Sequence, residues 1–190
     1  MSAKSATSRD RRAQRSRAAI VSAFNEMLLD GAEAQLDVRR VCARAGIGRS
    51  TFYLHFEGMD ALFKVSITPL FDALAVACLQ DDPGPGLTAL LGHIWSKRRL
   101  VRQFYVGRRA GTMIDLLSTS FERALANGGL RQSVPDSTWR LKIVMVAAGV
   151  TAVFDEWLSG RLSASVDDIA SLLWNGAQSA LAAAPVGARG

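Results

Sequence analysis

The chain has 190 residues, 49% of them hydrophobic, and a formal net charge of +6. That length allows one domain or two small ones with a buried core, and the apolar content is ordinary for a globular protein. No apolar run approaches the ~20 residues of a membrane span, and the basic N-terminus lacks the apolar segment of a secretion signal. Cys42 and Cys78 are isolated thiols with no metal spacing or disulfide framework, which fits a reducing compartment. A soluble cytoplasmic protein with no membrane partner, cofactor or metal site is therefore expected. Up to Phe56, ten Lys or Arg stand against five acids, whereas the remainder carries thirteen against twelve. Phosphate neutralisation calls for such an excess in one region, although for residues 1–17 alone a solvated basic tail is the plainer reading.

Helical periodicity runs through the chain and strands are hard to find. Residues 1–8, rich in Ser and Ala, are expected to be disordered, and a first helix to run from about Arg9 to Leu29 with Ile20, Phe24, Met27 and Leu28 inward. Residues 37–56, DVRRVCARAGIGRSTFYLHF, read as two short helices about a glycine turn. Asp37 can cap the first of them. Val38, Val41, Cys42 and Ala45 fall on its inner face, and Gly46 ends it as a residue able to adopt a left-handed backbone. Ile47 plugs the angle, and Gly48-Arg49-Ser50-Thr51 opens a small polar helix of a size suited to the major groove.

A fourth helix is expected from about Gly58 to Leu79, kinked or interrupted at Pro69. Asp81-Asp82-Pro83-Gly84-Pro85-Gly86 reads as a break. Short helices follow at about 87–96 and 100–106, then one from about Ala110 to Ala126. A long helix starts at Pro135, with Trp139, Ile143, Val146, Val150, Phe154 and Trp157 on one stripe, and Gly160 stops it. Ser165-Val166-Asp167-Asp168 resembles a capping box that opens the last helix. The total is about nine helices in an all-α protein, and the C-terminal tail should fray.

Residues 18–62 resemble the N-terminal domain of the TetR family of bacterial transcriptional regulators. The likeness rests on Ile20-Val21-Ser22-Ala23-Phe24, Gly31, Asp37-Val38-Arg39, Gly46-Ile47, the run Thr51-Phe52-Tyr53-Leu54-His55-Phe56, and Leu62. The chain departs from the family pattern at Gly48, where a Ser or Thr is usual, and at Met59, where a phosphate-touching Lys is usual. The resemblance implies a helix-turn-helix domain over residues 1–56 and a helical ligand-binding and dimerisation domain over 57–190. It implies a dimeric repressor of a palindromic operator in double-stranded DNA, released by a small molecule.

From their places in the motif, Arg39, Gly48, Arg49, Ser50, Thr51, Tyr53 and His55 are the expected DNA contacts. Arg49 suits guanine O6 and N7, while Thr51, Tyr53 and His55 suit phosphates. Phe52 and Phe56 are expected in the core. Two heads one helical turn apart require a homodimer. Its expected surface is built from the last two helices by Trp139, Val150, Phe154, Trp157, Leu173, Gly176 and Ala180, packed as a four-helix bundle. Phe71, Trp95, Phe104, Tyr105, Met113 and Trp139 are candidates to line a ligand cavity, and plain core packing is the alternative at each. His93 would either orient a ligand or remain partly exposed. Lys97, Arg98, Arg99, Arg102, Arg108 and Arg109 read as a solvated face, a contact to the DNA domain or an anion site.

An enzyme is not expected. The sequence has two imidazoles, His55 and His93, and neither a nucleophile elbow nor a phosphate-cradling glycine loop. The alternative function is a helical small-molecule-binding or protein-interaction module with weak or lost DNA binding, suggested by Gly48 and Met59.

Overall fold

The computed structural model describes residues 3–29, 36–99, 110–128 and 136–182. Among these described residues there are eight α-helices and no strand. They form two compact units, Met1–Ile67 and Thr68–Gly190.

The first unit holds α1 (Ala3–Leu29), α2 (Val38–Ala45), α3 (Arg49–Tyr53) and the start of α4 (Met59–Leu79). α1 begins at Ala3, earlier than the expected Arg9. No Gly or Pro occurs before Gly31 to interrupt its hydrogen-bond ladder. Ile20, Ala23 and Phe24 are its buried stripe, against Val41 and Cys42 of α2 and Phe52 of α3. Gly31 lies outside the described residues. Arg44 Nε and Glu26 Oε2 join α2 to α1 at 3.2 Å; both side chains are about half exposed, so the pair contributes ~1 kcal/mol at most.

Ser66 of α4 donates a hydrogen bond to Asn25 of α1, and Leu62 and Phe63 are buried. The first turns of α4 therefore belong to the N-terminal unit, and the division falls after Ile67 rather than after Phe56. α4 runs through Pro69 as one helix. It is long and apolar enough to cross a membrane by length and composition alone, although no apolar run of that length is expected from the sequence. Its polar Ser66 and Asp72 hydrogen-bond within the protein.

The second unit holds the rest of α4, then α5 (Gly84–Ser96), α6 (Ala110–Asn127), α7 (Asp136–Leu158) and α8 (Val166–Ala182). α5 starts inside the Pro-Gly segment, three residues before the expected Leu87. Pro85 sits in the first turn, where no intrahelical N–H is needed, and Gly84 N–H bonds Asp82 Oδ1 at 3.1 Å. The helix expected at 100–106 and the Pro135 start lie outside the described residues. Two polar clamps hold α4 here. Asp72 accepts from Ser120 Oγ at 2.7 Å and from Arg123 Nη1 at 2.5 and 2.6 Å on its two oxygens. The carbonyls of Cys78 and Gln80, at the end of α4, accept from Gln178 at 3.2 and 2.8 Å, and Gln80 also accepts from Trp174 Nε1 at 2.9 Å. Orphan carbonyls at a helix end are thus satisfied by side chains of α8.

Trp157 stacks on Trp95 with centroids 4.6 Å apart and donates Nε1–H to the Ala164 carbonyl at 3.1 Å. This ring is fully buried with Phe154 close by, and Trp139, Val150 and Leu173 are buried elsewhere in the unit. These five side chains, expected at a dimer surface, are buried within the protomer, and two of them, Val150 and Leu173, also line the apolar groove between α7 and α8. Gly176 is exposed and Ala180 half-buried. On α7 and α8 the large apolar residues left facing outward are Leu141 (73% exposed), Val144, Met145 (58%) and Leu172 (53%). α7 is apolar on two faces, and a stripe read from sequence does not say which is inward.

The capping box opening α8 forms as expected. Ser165 N–H and Oγ donate to Asp168 Oδ2 at 3.1 and 2.7 Å, and Asp168 N–H returns a bond to Ser165 Oγ at 3.1 Å. The hydroxyl and backbone N–H of Ser165 hold the Asp168 carboxyl below its usual range. A depressed folded pKa contributes stability above the unfolded value, near ~4, that is lost as pH falls through the folded value. Ser165→Ala should therefore lower the thermal midpoint at neutral pH and matter less near pH ~2, as a melting series by circular dichroism would register. Gly46→Ala should cost about 1 kcal/mol or more in denaturant unfolding, because Gly46 has φ 65° and a side chain there is strained.

Candidate nucleic-acid interface

The site is built by two short helices and the turn between them. Asp37 caps α2 by accepting from the Arg40 backbone N–H at 2.8 Å. Gly46, at φ 65° and ψ 33°, closes the helix, with its N–H on the Ala43 carbonyl at 3.3 Å and that of Ile47 on the Cys42 carbonyl at 3.0 Å. Such a left-handed residue reverses the chain within one step while satisfying the last carbonyls of α2. Gly48 is extended and α3 follows at Arg49.

Only one residue of α3 faces inward. Phe52 is fully buried and Phe56 nearly so, their rings 5.7 Å apart. Burying each ring stabilises the unit by roughly 1.5–3 kcal/mol, which fixes the rotation of α3 about its axis. Arg49, Ser50 and Tyr53 are consequently exposed, and Thr51 and His55 half-buried. The Tyr53 ring is 58% exposed and meets Phe52 edge-on, with centroids 5.4 Å apart. Beneath the chain that leaves α3, the guanidinium of Arg17 stands 5.5 Å from the Phe56 ring.

Arg39 of α2 is exposed, and with Asp37, Arg49, Tyr53 and Met59 it borders one surface groove. The structure thus gathers Arg39, Arg49 and Tyr53 at one place, with Ser50 and Thr51 on the same short helix and Gly48 at its start. His55 lies in the turn after α3, on the side of Phe56. Sequence reasoning missed Leu54, which is 83% exposed between Tyr53 and His55; an apolar residue inside a polar, aromatic run was the available signal. It also missed Leu36 and Val38 on the groove wall. Burial pushes the Cys42 thiol up from its ordinary value, with the Arg49 charge pulling the other way; the thiol is structural filling under α3.

Gly48 carries no side-chain cap bond to α3. A Cβ built there meets nothing nearer than Ser50 Oγ at 3.7 Å, an ordinary contact, so the departure from Ser or Thr is one of chemistry and not of space. Met59 lies on the groove wall at the first turn of α4, where it offers no charge.

A polar, arginine-led helix held outward on a buried aromatic base has the size and chemistry that the major groove of DNA admits. Residues 20–65 match the family described as "Bacterial regulatory proteins, tetR family". Among solved structures, the chain is similar in fold to "Dihydroxyacetone kinase operon activator DhaS", with a TM-score of 0.53 and 17% identity. That similarity spans 88% of this chain and 96% of the other. No curated protein matches.

Gly48→Ser should supply the missing oxygen acceptor and stabilise the N-terminal unit by a few tenths of a kcal/mol, about what separates Gly from Ser at helix N-caps. Denaturant unfolding of the variant would register the gain, and a loss would contradict the open geometry at this position.

Proposed function

We propose that this protein is a ligand-responsive repressor that binds a palindromic operator as a homodimer. The observation that carries the DNA reading is the exposure of Arg49 and Tyr53 on a helix anchored by a buried Phe52. In this reading Arg49 donates to guanine O6 and N7 in the major groove, and Arg39 reaches a base edge or the backbone from α2. Ser50, Thr51, Tyr53 and His55 hold phosphates and set register. Leu54 offers an apolar contact of the kind that thymine methyls accept. Occupying a promoter is enough to exclude polymerase, so repression needs no further surface.

Dimerisation is supported by the outward apolar face of α7 and α8. Met145, Gly149, Val153, Leu172, Gly176 and Ala180 border one almost wholly apolar groove between these helices. Glycine and alanine let a second pair of helices approach closely, while Leu141, Met145 and Leu172 supply area. A four-helix bundle from two copies covers this face, and it is exposed apolar surface of the kind that marks interfaces.

Ligand response is supported by three buried polar atoms. Ser118 Oγ, Trp139 Nε1 and Thr151 Oγ1 have no hydrogen-bond partner among the described residues. Each such group costs roughly 1–3 kcal/mol, which a ligand with matching polar atoms would offset. Phe71 and Met113 are buried and Trp95 is half-buried, so they serve as core or as cavity wall; Phe104 and Tyr105 lie outside the described residues. His93 is exposed, the weaker of its two expected roles. Arg98 covers the Trp95 ring at 4.6 Å. A ligand that favours one packing of α6 and α7 would act on α4 through the Asp72 clamp and shift the population of heads spaced for the groove.

The test is to select bound fragments from the source genome and measure their affinity by gel shift at several salt concentrations. Affinity for a palindrome that falls steeply with salt is expected. Arg49→Ala should weaken binding by ~1–3 kcal/mol and relax preference at one base position per half-site; unchanged preference would remove Arg49 from its role. Met145→Arg or Leu172→Arg should give a folded monomer by light scattering, since both side chains are exposed in the protomer. A dimer of unaltered stability in both variants would rule out the α7–α8 face.

A further inference from the structure

Positive charge is not in excess in the groove beside α3. Arg39 and Arg49 border it together with Asp37, Tyr53 and Met59. Met59 also borders the adjoining groove at the start of α4, whose charged residues are Glu57, Asp60 and Lys64. All six charged side chains are exposed. The two grooves thus set three acids (Asp37, Glu57, Asp60) against three bases (Arg39, Arg49, Lys64), and together carry no net charge.

Asp37 differs from the other acids in being fixed among the arginines. Its Oδ1 accepts the Arg40 backbone N–H at 2.8 Å, with the residue extended as the cap of α2. Swinging the carboxylate away would uncap the helix. Among the described residues, neither Arg39 nor Arg49 is ion-paired with it. The charge is therefore neither neutralised within the groove nor able to leave it. The start of a helix ordinarily attracts phosphate through its open N–H groups, and here the chain's own carboxylate occupies one of them.

Resting on the DNA reading of α3, we propose that Asp37 is an electrostatic brake on DNA binding. A duplex held by Arg39 and Arg49 brings its phosphates within about one Debye length of the fixed carboxylate, ~10 Å at 0.1 M salt, where like charges still repel. Met59, on the same groove wall, supplies no cation to offset that repulsion. The penalty involves no particular base, so it falls on every sequence alike. Asp37 lowers affinity and leaves base preference to Arg49. The result is an operator complex that a modest coupling energy can undo.

The experiment measures the full-length protein, Asp37→Asn and Asp37→Ser by fluorescence anisotropy across a salt series. Each is titrated with a genome-selected operator fragment and with an unrelated duplex of equal length. Asn and Ser both keep a capping oxygen at the start of α2, so the fold is retained, as circular dichroism would check. At low salt both variants should bind both duplexes more tightly than wild type, by about two- to fivefold per bound protomer. Coulomb's law gives that range in water between one Debye length and contact. The factor should be equal on the two duplexes and should shrink as salt rises. Wild-type affinity in both variants at low salt overturns the brake and leaves Asp37 as a cap alone. A changed base preference, or weaker binding to the operator only, makes Asp37 a base reader and overturns the brake equally. Both of those outcomes leave α3 as the reader, with Arg49→Ala still weakening operator binding. Failure of wild type and variants to bind any duplex at low salt overturns the DNA reading as well.

Discussion

The burial of Phe52 and Phe56 against α1 and α2 is the constraint on which the rest of the N-terminal unit depends. A helix as short as α3 has too few hydrogen bonds to hold itself, and its orientation is set by what it buries. With one aromatic ring sunk and the next edge-on above it, Arg49, Ser50 and Tyr53 have only the outward side left. The Asp37 cap and the left-handed Gly46 serve the same end, since they finish α2 at the point from which α3 can reach that aromatic base. The outward display of Arg49 and Tyr53 is thus built on an apolar interaction in which neither takes the inward place.

α4 carries the consequences further. Its first turns pack in the N-terminal unit through Ser66, Leu62 and Phe63, and its last turns are held in the second unit through Asp72, Cys78 and Gln80. The clamps differ in chemistry. The Asp72 site joins a half-exposed carboxylate to Ser120 and Arg123, an arrangement open to exchange, whereas Trp174 and Gln178 close the helix end by backbone carbonyl bonds.

Polar atoms in the second unit differ in how they are satisfied. Trp157 donates its Nε1–H to the Ala164 carbonyl. Ser118 Oγ, Trp139 Nε1 and Thr151 Oγ1 are buried with no partner among the described residues. The apolar groove of α7 and α8 has the opposite character, with small residues, few polar atoms and open access, as an interface with another protein surface demands.

Local chemistry was legible from the sequence wherever neighbours in the chain decide the outcome. Asp37, Gly46 and the Ser165–Asp168 box act over three or four residues, and the inward Phe52 follows from helical spacing around it; each could be read before any coordinates. So could the all-helical class, the helix-turn-helix and the outward arginine. What could not be read was decided by partners far along the chain. Which residues of α7 are buried within the protomer depends on partners such as Trp95, which stacks on Trp157. The first unit ends after Ile67, and the meeting of Ser66 with Asn25 is one of the contacts inside it. Periodicity specifies that a face is apolar; only the tertiary contacts, which compete for that same area, determine what covers it.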